Sequence, residues 1–264
     1  MSENVMLRAV NEILPIFTRN RTWRALAMAD IRSKYRRTVL GPWWITVSNG
    51  IFALIIGTVS GRFLGSDMSS YLPFFIIGLT IWNFMAASIT EGCTTLIQSS
   101  GLIKATNLPL SLYVMRMVQR NFIIFLHNSV IIPIIWLVYP WSVGAGALLS
   151  VVGFFAIYVC AVCWSLSISI ICTRYRDIPP AITALVQLLF FVSPIIWQPE
   201  QLRGGHEVLK YNPIAHLLAV ARDPLLGKTI PLESWLAVAL TVIVSIVIAA
   251  AIYLRYRRRV VFWV

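Results

Sequence analysis

In a chain of 264 residues, 58% of the residues are hydrophobic and only 12% are charged. Because soluble domains usually carry about 25% charged residues, this composition excludes an ordinary soluble domain and indicates an integral membrane protein. The net charge of +12 would suggest nucleic-acid binding in a soluble protein. In a membrane protein, the bias of basic residues toward the cytoplasmic side explains it better, so no nucleic-acid partner is expected.

The N-terminal segment, residues 1–42, contains an amphipathic stretch. At 3.6 residues per turn, four apolar side chains fall within one arc: Trp23, Leu26, Ala27 and Ile31. Asp30 and Lys34 interrupt that arc. The pattern predicts a helix lying along the membrane interface, and an ordinary soluble helix is the alternative.

A cluster of basic residues stands just before the first long apolar run. Its members are Arg32, Lys34, Arg36 and Arg37. Their position predicts that this end of the run is cytoplasmic. Setting the topology does not require so many cations, so binding of an anionic ligand remains open as a second role.

Six apolar segments have no charged residue over their cores. They are residues 43–61, 71–90, 121–140, 142–173, 178–198 and 234–254. A helix that crosses a bilayer needs about 20 mostly apolar residues. We therefore predict an all-α, polytopic membrane protein with six transmembrane helices in residues 43–254.

The distribution of basic residues between these segments predicts the orientation. If both termini are cytoplasmic, 17 of the 22 Lys and Arg residues lie inside and 5 lie outside. On that assignment the connection 92–120 and the basic tail 255–264 are cytoplasmic. The longest connection, 199–233, is then external.

The sequence lacks the chemistry of an enzyme or of a self-powered carrier. Gly227-Lys228-Thr229 ends like a phosphate-binding loop, but Arg222 stands where that motif needs its first glycine. No metal-ligand spacing and no acidic residue within a predicted span is present. We therefore expect no catalytic residue, metal or cofactor in this chain, and a partner that supplies the energy.

The connection 92–120 is the candidate docking site for such a partner. Its first part could form a short helix before Asn107 and Pro109 break the chain. The candidate docking residues are Leu96, Ile97, Gln98 and Lys104. An ordinary polar connector is the alternative.

Several stretches, taken in order, resemble one family. They read KYRRTVLGPWW, YLPFFIIGLTIWNF, LIKATNLPL, FLHN, RYRDIPP, LFFVSPIIW and YNPIAHLLAVARDPLL. Together they are similar to the membrane subunit of bacterial type-2 ABC exporters for polysaccharides, the Wzm-like permeases of O-antigen export. The likeness runs from about residue 30 to the C-terminus.

The resemblance implies a homodimer in the bacterial inner membrane with two copies of a cytoplasmic ATPase, which binds the ATP and Mg. It implies a polyprenyl-pyrophosphate-linked glycan as cargo. The amphipathic helix and the loop after the second span would contact the ATPase. Short helices between the fifth and sixth spans, in residues 199–233, would form an external gate.

The resemblance also suggests roles for particular residues. Arg32, Lys34, Arg36 and Arg37 would recruit the pyrophosphate, with topology and anionic lipid as the alternative. The channel would be lined by residues predicted at mid-membrane depth: Trp82, Asn83, Phe84 and Trp164. Packing or lipid anchoring is the alternative for any one of these aromatic residues.

Other functions stay open at this point. The cargo could be capsule, teichoic acid, a small lipid or a drug. A membrane enzyme acting on isoprenoid lipids would have Glu91 and Asp177 as its candidate acids at the inner face. A secondary carrier is disfavoured because no acidic residue lies within a predicted span.

Overall fold

The structure, a computed structural model, describes residues 20–34, 41, 43–106, 108–201 and 206–264. These residues form helices joined by short turns, and none of them lies in a strand. The α-helices are α1 (Asn20–Lys34), α2 (Trp43–Phe63), α3 (Met68–Gln98), α4 (Ser100–Ala105), α5 (Leu110–Asn128), α6 (Ile131–Val138), α7 (Leu149–Arg174), α8 (Ile178–Val192), α9 (His206–Tyr211), α10 (Pro213–Arg222) and α11 (Leu232–Trp263). The all-α prediction is confirmed.

Within the described residues, five helical segments are long and apolar enough to cross a membrane. They are Trp43–Phe63, Met68–Gln98, Leu110–Val138, Ala145–Arg174 and Leu232–Trp263. The predicted fifth span, 178–198, is helical only as far as Val192. Its 15 residues span roughly 22 Å at 1.5 Å per residue, which is less than a hydrocarbon core of about 30 Å.

The helices differ from the predicted segments mainly at their ends. The second predicted span, 71–90, is part of α3, which continues to Gln98. Much of the connection 92–120 is therefore helical, because its last part belongs to α5. The basic tail 255–264 likewise belongs almost entirely to α11, which ends at Trp263.

Local sequence accounts for where several helices begin. Asp67 caps α3 by accepting a hydrogen bond from the backbone N–H of Ser69. Asn212 caps α10 by accepting from the N–H groups of Ile214 and Ala215. Prolines occupy the first turn of α8 and of α10, where the missing N–H has no helical partner to lose.

Helix α3 is the centre of the bundle. It packs against α2, α5, α7, α8 and α10. In its most apolar stretch 83% of the residues are buried, against 17% to 33% in the other four candidate spans. Large apolar side chains on α2, α7, α8 and α11 are exposed, so these helices present the surfaces suited to lipid or to another membrane protein.

Glycines allow two close helix contacts. A Cβ on Gly92 of α3 would lie 3.1 Å from the Cα of Ser165 on α7, and the Ser165 hydroxyl donates to the Ser88 carbonyl at 2.7 Å. A Cβ on Gly153 of α7 would lie 2.8 Å from the backbone of Ala221 on α10. Small residues at such crossings let helices approach closely in membranes.

Candidate functional site

Helix α1 packs against the first half of α5. Trp23, Ala27 and Ile31 are buried, and Trp23 packs with Leu112 and Met115 of α5. The apolar arc predicted from the sequence is therefore covered by protein. Leu26 is half-buried at its edge.

Asp30, which interrupts the apolar arc in the sequence, has a specific partner on α5. Its carboxylate accepts two hydrogen bonds from Arg116, one of them from Nε at 2.7 Å. A guanidinium nitrogen of Arg120 lies 3.7 Å from the same carboxylate, and Arg120 also donates to Glu91 of α3. This four-residue ion-pair network joins α1, α5 and α3.

The ion-pair network lines an open polar cavity of about 370 Å³. Thr94 and Gln98 of α3 and Tyr113 of α5 also face this cavity. Two arginines and two carboxylates balance in charge, and all four are partly exposed. Ion pairs of this kind cost little to separate, so the network could open and re-form at a modest cost in free energy.

The network also bears on the two acids considered for a membrane enzyme. Glu91 is ion-paired with Arg120, whereas Asp177 lies exposed at the start of α8. No group of three or more His, Cys, Asp or Glu side chains that could hold a metal forms among the described residues.

The predicted docking residues lie at the end of α3 and on α4, beside this cavity. Gln98 and Lys104 are exposed, Ile97 is half-buried, and Leu96 is fully buried. Leu96 therefore packs inside the bundle and is not part of the exposed surface. Leu102, with 48% of its surface exposed, is the large apolar side chain that faces outward from α4.

The residues predicted to recruit pyrophosphate are described only in part. Arg32 is exposed near the end of α1. Lys34 is the last residue of that helix. Arg36 and Arg37 lie outside the described residues.

Two of the predicted channel residues are packed inside the bundle. Trp82 is buried and its ring lies 5.9 Å from that of Phe190 on α8. Phe84 is buried in an aromatic cluster with Phe122, Phe125 and Tyr158. Within one chain, Trp82 and Phe84 therefore stabilise the packing of α3 rather than line open space.

The other two channel candidates are more accessible. Asn83 is half-buried. Trp164 is half-buried, donates its indole N–H to the Ser245 hydroxyl at 2.9 Å, and lines a cavity of about 540 Å³ between α7, α10 and α11. Among the predicted channel residues, Trp164 is thus one whose side chain lines a cavity.

At the opposite end of the bundle, Arg222 is almost completely buried, with 1% of its surface exposed. Its guanidinium donates to the Pro194 carbonyl at 2.7 Å and to Asp223 at 3.0 Å, and its central carbon lies 3.6 Å from the centre of the Phe74 ring. Burial lowers the pKa of Arg222, and the Asp223 carboxylate opposes that shift. The glycine at 78 leaves room for this side chain on α3.

Arg222 is one of several residues that fasten the segment after α8. Tyr71 of α3 donates to the Ile196 carbonyl at 2.5 Å, and the Asn212 amide donates to the Ser193 hydroxyl at 3.2 Å. The sequence analysis counted Arg222 only as an external charge. An arginine at the end of the mostly apolar helix α10, followed directly by an aspartate, was the signal that could have identified it, since such a residue is buried only when paired.

Comparisons with known proteins identify the family of this chain. The model of the ABC-2 type transporter family matches residues 21–226. An O-antigen export system permease protein, RfbA, of Klebsiella pneumoniae is 25% identical over 235 residues, covering 86% of this chain and 90% of the relative. A second protein of that name and organism is 24% identical over 239 residues, with the same coverage. The family resemblance seen in the sequence is confirmed, and the chain belongs to the ABC-2 type transporter family.

Proposed function

We propose that this chain is the permease subunit of an ATP-driven exporter that moves a lipid-linked polysaccharide, specifically O-antigen, across the bacterial inner membrane. The observation that carries the proposal is the similarity to two O-antigen export permeases over 86% of the chain. The charge-balanced network and the paired Glu91 favour a transport subunit over a membrane enzyme.

In this proposal the transporter is a homodimer with two copies of a separate ATPase, which binds ATP and Mg. Both termini are cytoplasmic, and α8 with the segment that follows it forms the fifth of six spans. The pyrophosphate of a polyprenyl-linked glycan is recruited by Arg32, Lys34, Arg36 and Arg37. The helices α9 and α10 form the external gate.

The ATPase would dock on the exposed surface formed by Gln98, Leu102 and Lys104. Movement of α4 would pass to α3 and then reach α1 and α5 through the ion-pair network, because Glu91 lies on α3, the helix that ends at Gln98. Docking of this kind places ATP-driven force on α3, which contacts most of the other spans.

The first experiment is purification of the tagged chain in mild detergent from its own host, with identification of what co-elutes. We expect a stoichiometric protein with a phosphate-binding loop and ATPase activity, and loss of the surface glycan when the permease gene is deleted. A chain that elutes alone under several mild conditions would contradict the ATP-driven mechanism.

A reversed charge at the docking surface tests its location. Lys104→Glu should reduce ATPase co-elution about tenfold, the loss expected when like charges meet at an interface. Lys228→Glu, which changes an exposed lysine at the opposite end, is the matched control and should leave co-elution unchanged.

Neutralising Arg36 and Arg37 together tests recruitment of pyrophosphate. Export of the glycan should fall while the chain still inserts normally. The control is Arg255→Gln with Arg258→Gln, which also removes two basic side chains on the side assigned to the cytoplasm. Normal export by the Arg36 and Arg37 variant would show that these residues serve topology alone.

If the glycan missing after gene deletion is a capsule or teichoic acid, the cargo differs but the mechanism stands. Export of a small lipid or drug by the same fold is the remaining alternative. It would leave all surface glycans present in the deletion strain.

A further inference from the structure

A second cluster of cations lies where the last turn of α7 meets the last turns of α11. Arg174 and Tyr175 from the end of α7, with Tyr256, Arg259 and Trp263 of α11, line an open cavity of about 220 Å³. The cavity exists because α11 stays helical to Trp263, which brings the basic, aromatic end of the sequence against α7. This cluster is separate from the ion-pair network at α1.

The guanidinium of Arg174 is held by aromatic rings. Its central carbon lies 5.0 Å from the centre of the Trp263 ring and 5.4 Å from that of Tyr175. The Trp263 ring in turn lies 5.7 Å from that of Tyr256. Stacking engages the flat faces of a guanidinium and leaves the N–H donors at its edge available for an anion.

Neither arginine of this cavity has an acidic partner among the residues that the structure describes. Within the described residues, no carboxylate lies within 4.0 Å of a nitrogen of Arg174 or Arg259. By contrast, Arg116, Arg120 and Arg222 each have a carboxylate partner. Two unneutralised guanidinium groups beside one cavity form the arrangement that binds a phosphate through paired, charge-assisted hydrogen bonds.

Apolar side chains also line this cavity on the side toward the middle of the bundle. They are Ile170 and Ile171 of α7. Farther along, Ile168 of α7 and Leu240, Val244 and Ile248 of α11 line the larger cavity of about 540 Å³. From Arg259 to Ile248 the helix rises roughly 16 Å, which is about half of a hydrocarbon core.

We propose that the cavity between the ends of α7 and α11 binds the headgroup of one phosphate-bearing lipid. Arg174 and Arg259 hold the phosphate, and Tyr256 and Trp263 lie at the headgroup level, where amphipathic rings are favoured. The hydrocarbon chain lies along α7 and α11 in the direction of Ile248. The proposal requires that the helices span a membrane, but it does not depend on the identity of the cargo.

The test is native mass spectrometry of the purified chain after titration with a lipid in neutral detergent. One arm uses dioleoyl phosphatidylglycerol and a second uses a polyprenyl diphosphate, while a diacylglycerol without phosphate is the reference. The variant is Arg174→Gln with Arg259→Gln. The matched control is Arg255→Gln with Arg258→Gln, which removes the same charge from residues of α11 that do not line the cavity.

We expect the variant at the cavity to bind the phosphate-bearing lipid about tenfold more weakly, and the control to stay within about twofold of the unmodified chain. Tight binding in the phosphatidylglycerol arm identifies a membrane phospholipid as the occupant. Tight binding in the polyprenyl arm identifies the lipid carrier of a cargo. Either result supports the site.

Equal losses in the two double variants would mean that only net charge matters, and would overturn the proposal. Unchanged binding in the cavity variant, or equal binding of diacylglycerol, would overturn it as well. If the double variant does not give a monodisperse protein, Arg259→Gln is compared with Arg258→Gln. Both of these side chains are exposed on the same helix, so this comparison still separates loss of the cavity arginine from loss of net charge.

Discussion

The two ends of the bundle use arginine in opposite ways. At the α1 end, Arg116 and Arg120 are partly exposed and share two carboxylates around an open cavity. At the other end, Arg222 is buried against α3 and bonded to a carbonyl after α8. When helices separate, water can replace the contacts of Arg116 and Arg120. Water does not reach the buried contacts of Arg222.

This difference indicates that the α1 end can move more easily than the end that contains Arg222. An exposed ion pair contributes little to stability, whereas a buried charge that loses its partner is strongly unfavourable. We therefore expect the α1 end to rearrange during transport and the segment around Arg222 to move as one unit with α3. Four predictions test this contrast, from the largest expected effect to the smallest.

Replacement of Arg222 by Ala should be the most damaging. It leaves a void beside Phe74 and an unbonded carbonyl at Pro194, with an expected cost of about 3 to 5 kcal/mol in unfolding free energy. Thermal unfolding in detergent measures the loss. The control is Lys228→Ala, at a half-exposed residue of the same end, and this variant should unfold at almost the same temperature as the unmodified chain. Equal effects of the two changes would mean that the buried contacts of Arg222 do not stabilise this end.

A bulky side chain at Gly153 should push α10 away from α7. Because a Cβ there already lies 2.8 Å from the Ala221 backbone, Gly153→Leu should cost about 1 to 3 kcal/mol or more. Gly146→Leu is the control, since a Cβ at Gly146 meets nothing within 4 Å. Similar unfolding temperatures for the two variants would mean that α10 is not held tightly in the bundle.

Loss of the Asn212 side chain should weaken the start of α10 by about 1 to 2 kcal/mol, the usual effect of removing a helix cap. Asn212→Asp keeps the oxygen that accepts from Ile214 and Ala215 but removes the amide that donates to Ser193. Thermal unfolding of the Ala and Asp variants therefore separates the cap from the bond to Ser193. If both variants match the unmodified chain, this end is less rigid than proposed.

The pair Glu91–Arg120 should contribute least. A double-mutant cycle with Glu91→Gln and Arg120→Gln should give a coupling of about 0.5 to 1 kcal/mol, because both side chains are partly exposed and screened by solvent. The cycle is measured by thermal unfolding of the four proteins. A coupling as large as the effect at Arg222 would remove the contrast between the two ends.

The sequence predicted the helices well because a long apolar run in a membrane must satisfy its backbone internally. It predicted several of their ends poorly: α8 ends at Val192, before the predicted residue 198, whereas α3 and α11 extend beyond their predicted ends. Hydropathy reports where the apolar environment stops, whereas the helix continues through polar residues to Gln98 and through basic residues to Trp263.

The contacts between residues far apart in the chain could not be predicted from the sequence. Arg116 and Asp30 are separated by 86 positions, and Arg222 and Pro194 by 28. Periodicity within one helix could mark Asp30 as out of place on an apolar arc. It could not identify Arg116, the residue on another helix whose ion pair makes a carboxylate favourable at position 30.

Helix α3 has a mechanical consequence. Its 31 residues form a rod of roughly 46 Å, with the proposed docking surface at one end and the Arg222 contact at Phe74 near the other. Pro73 is the one proline within it, and it removes a backbone hydrogen bond one residue before Phe74. A push at Gln98 would therefore tilt the rod as a lever, and bending would concentrate at Pro73, immediately beside the segment proposed as the external gate.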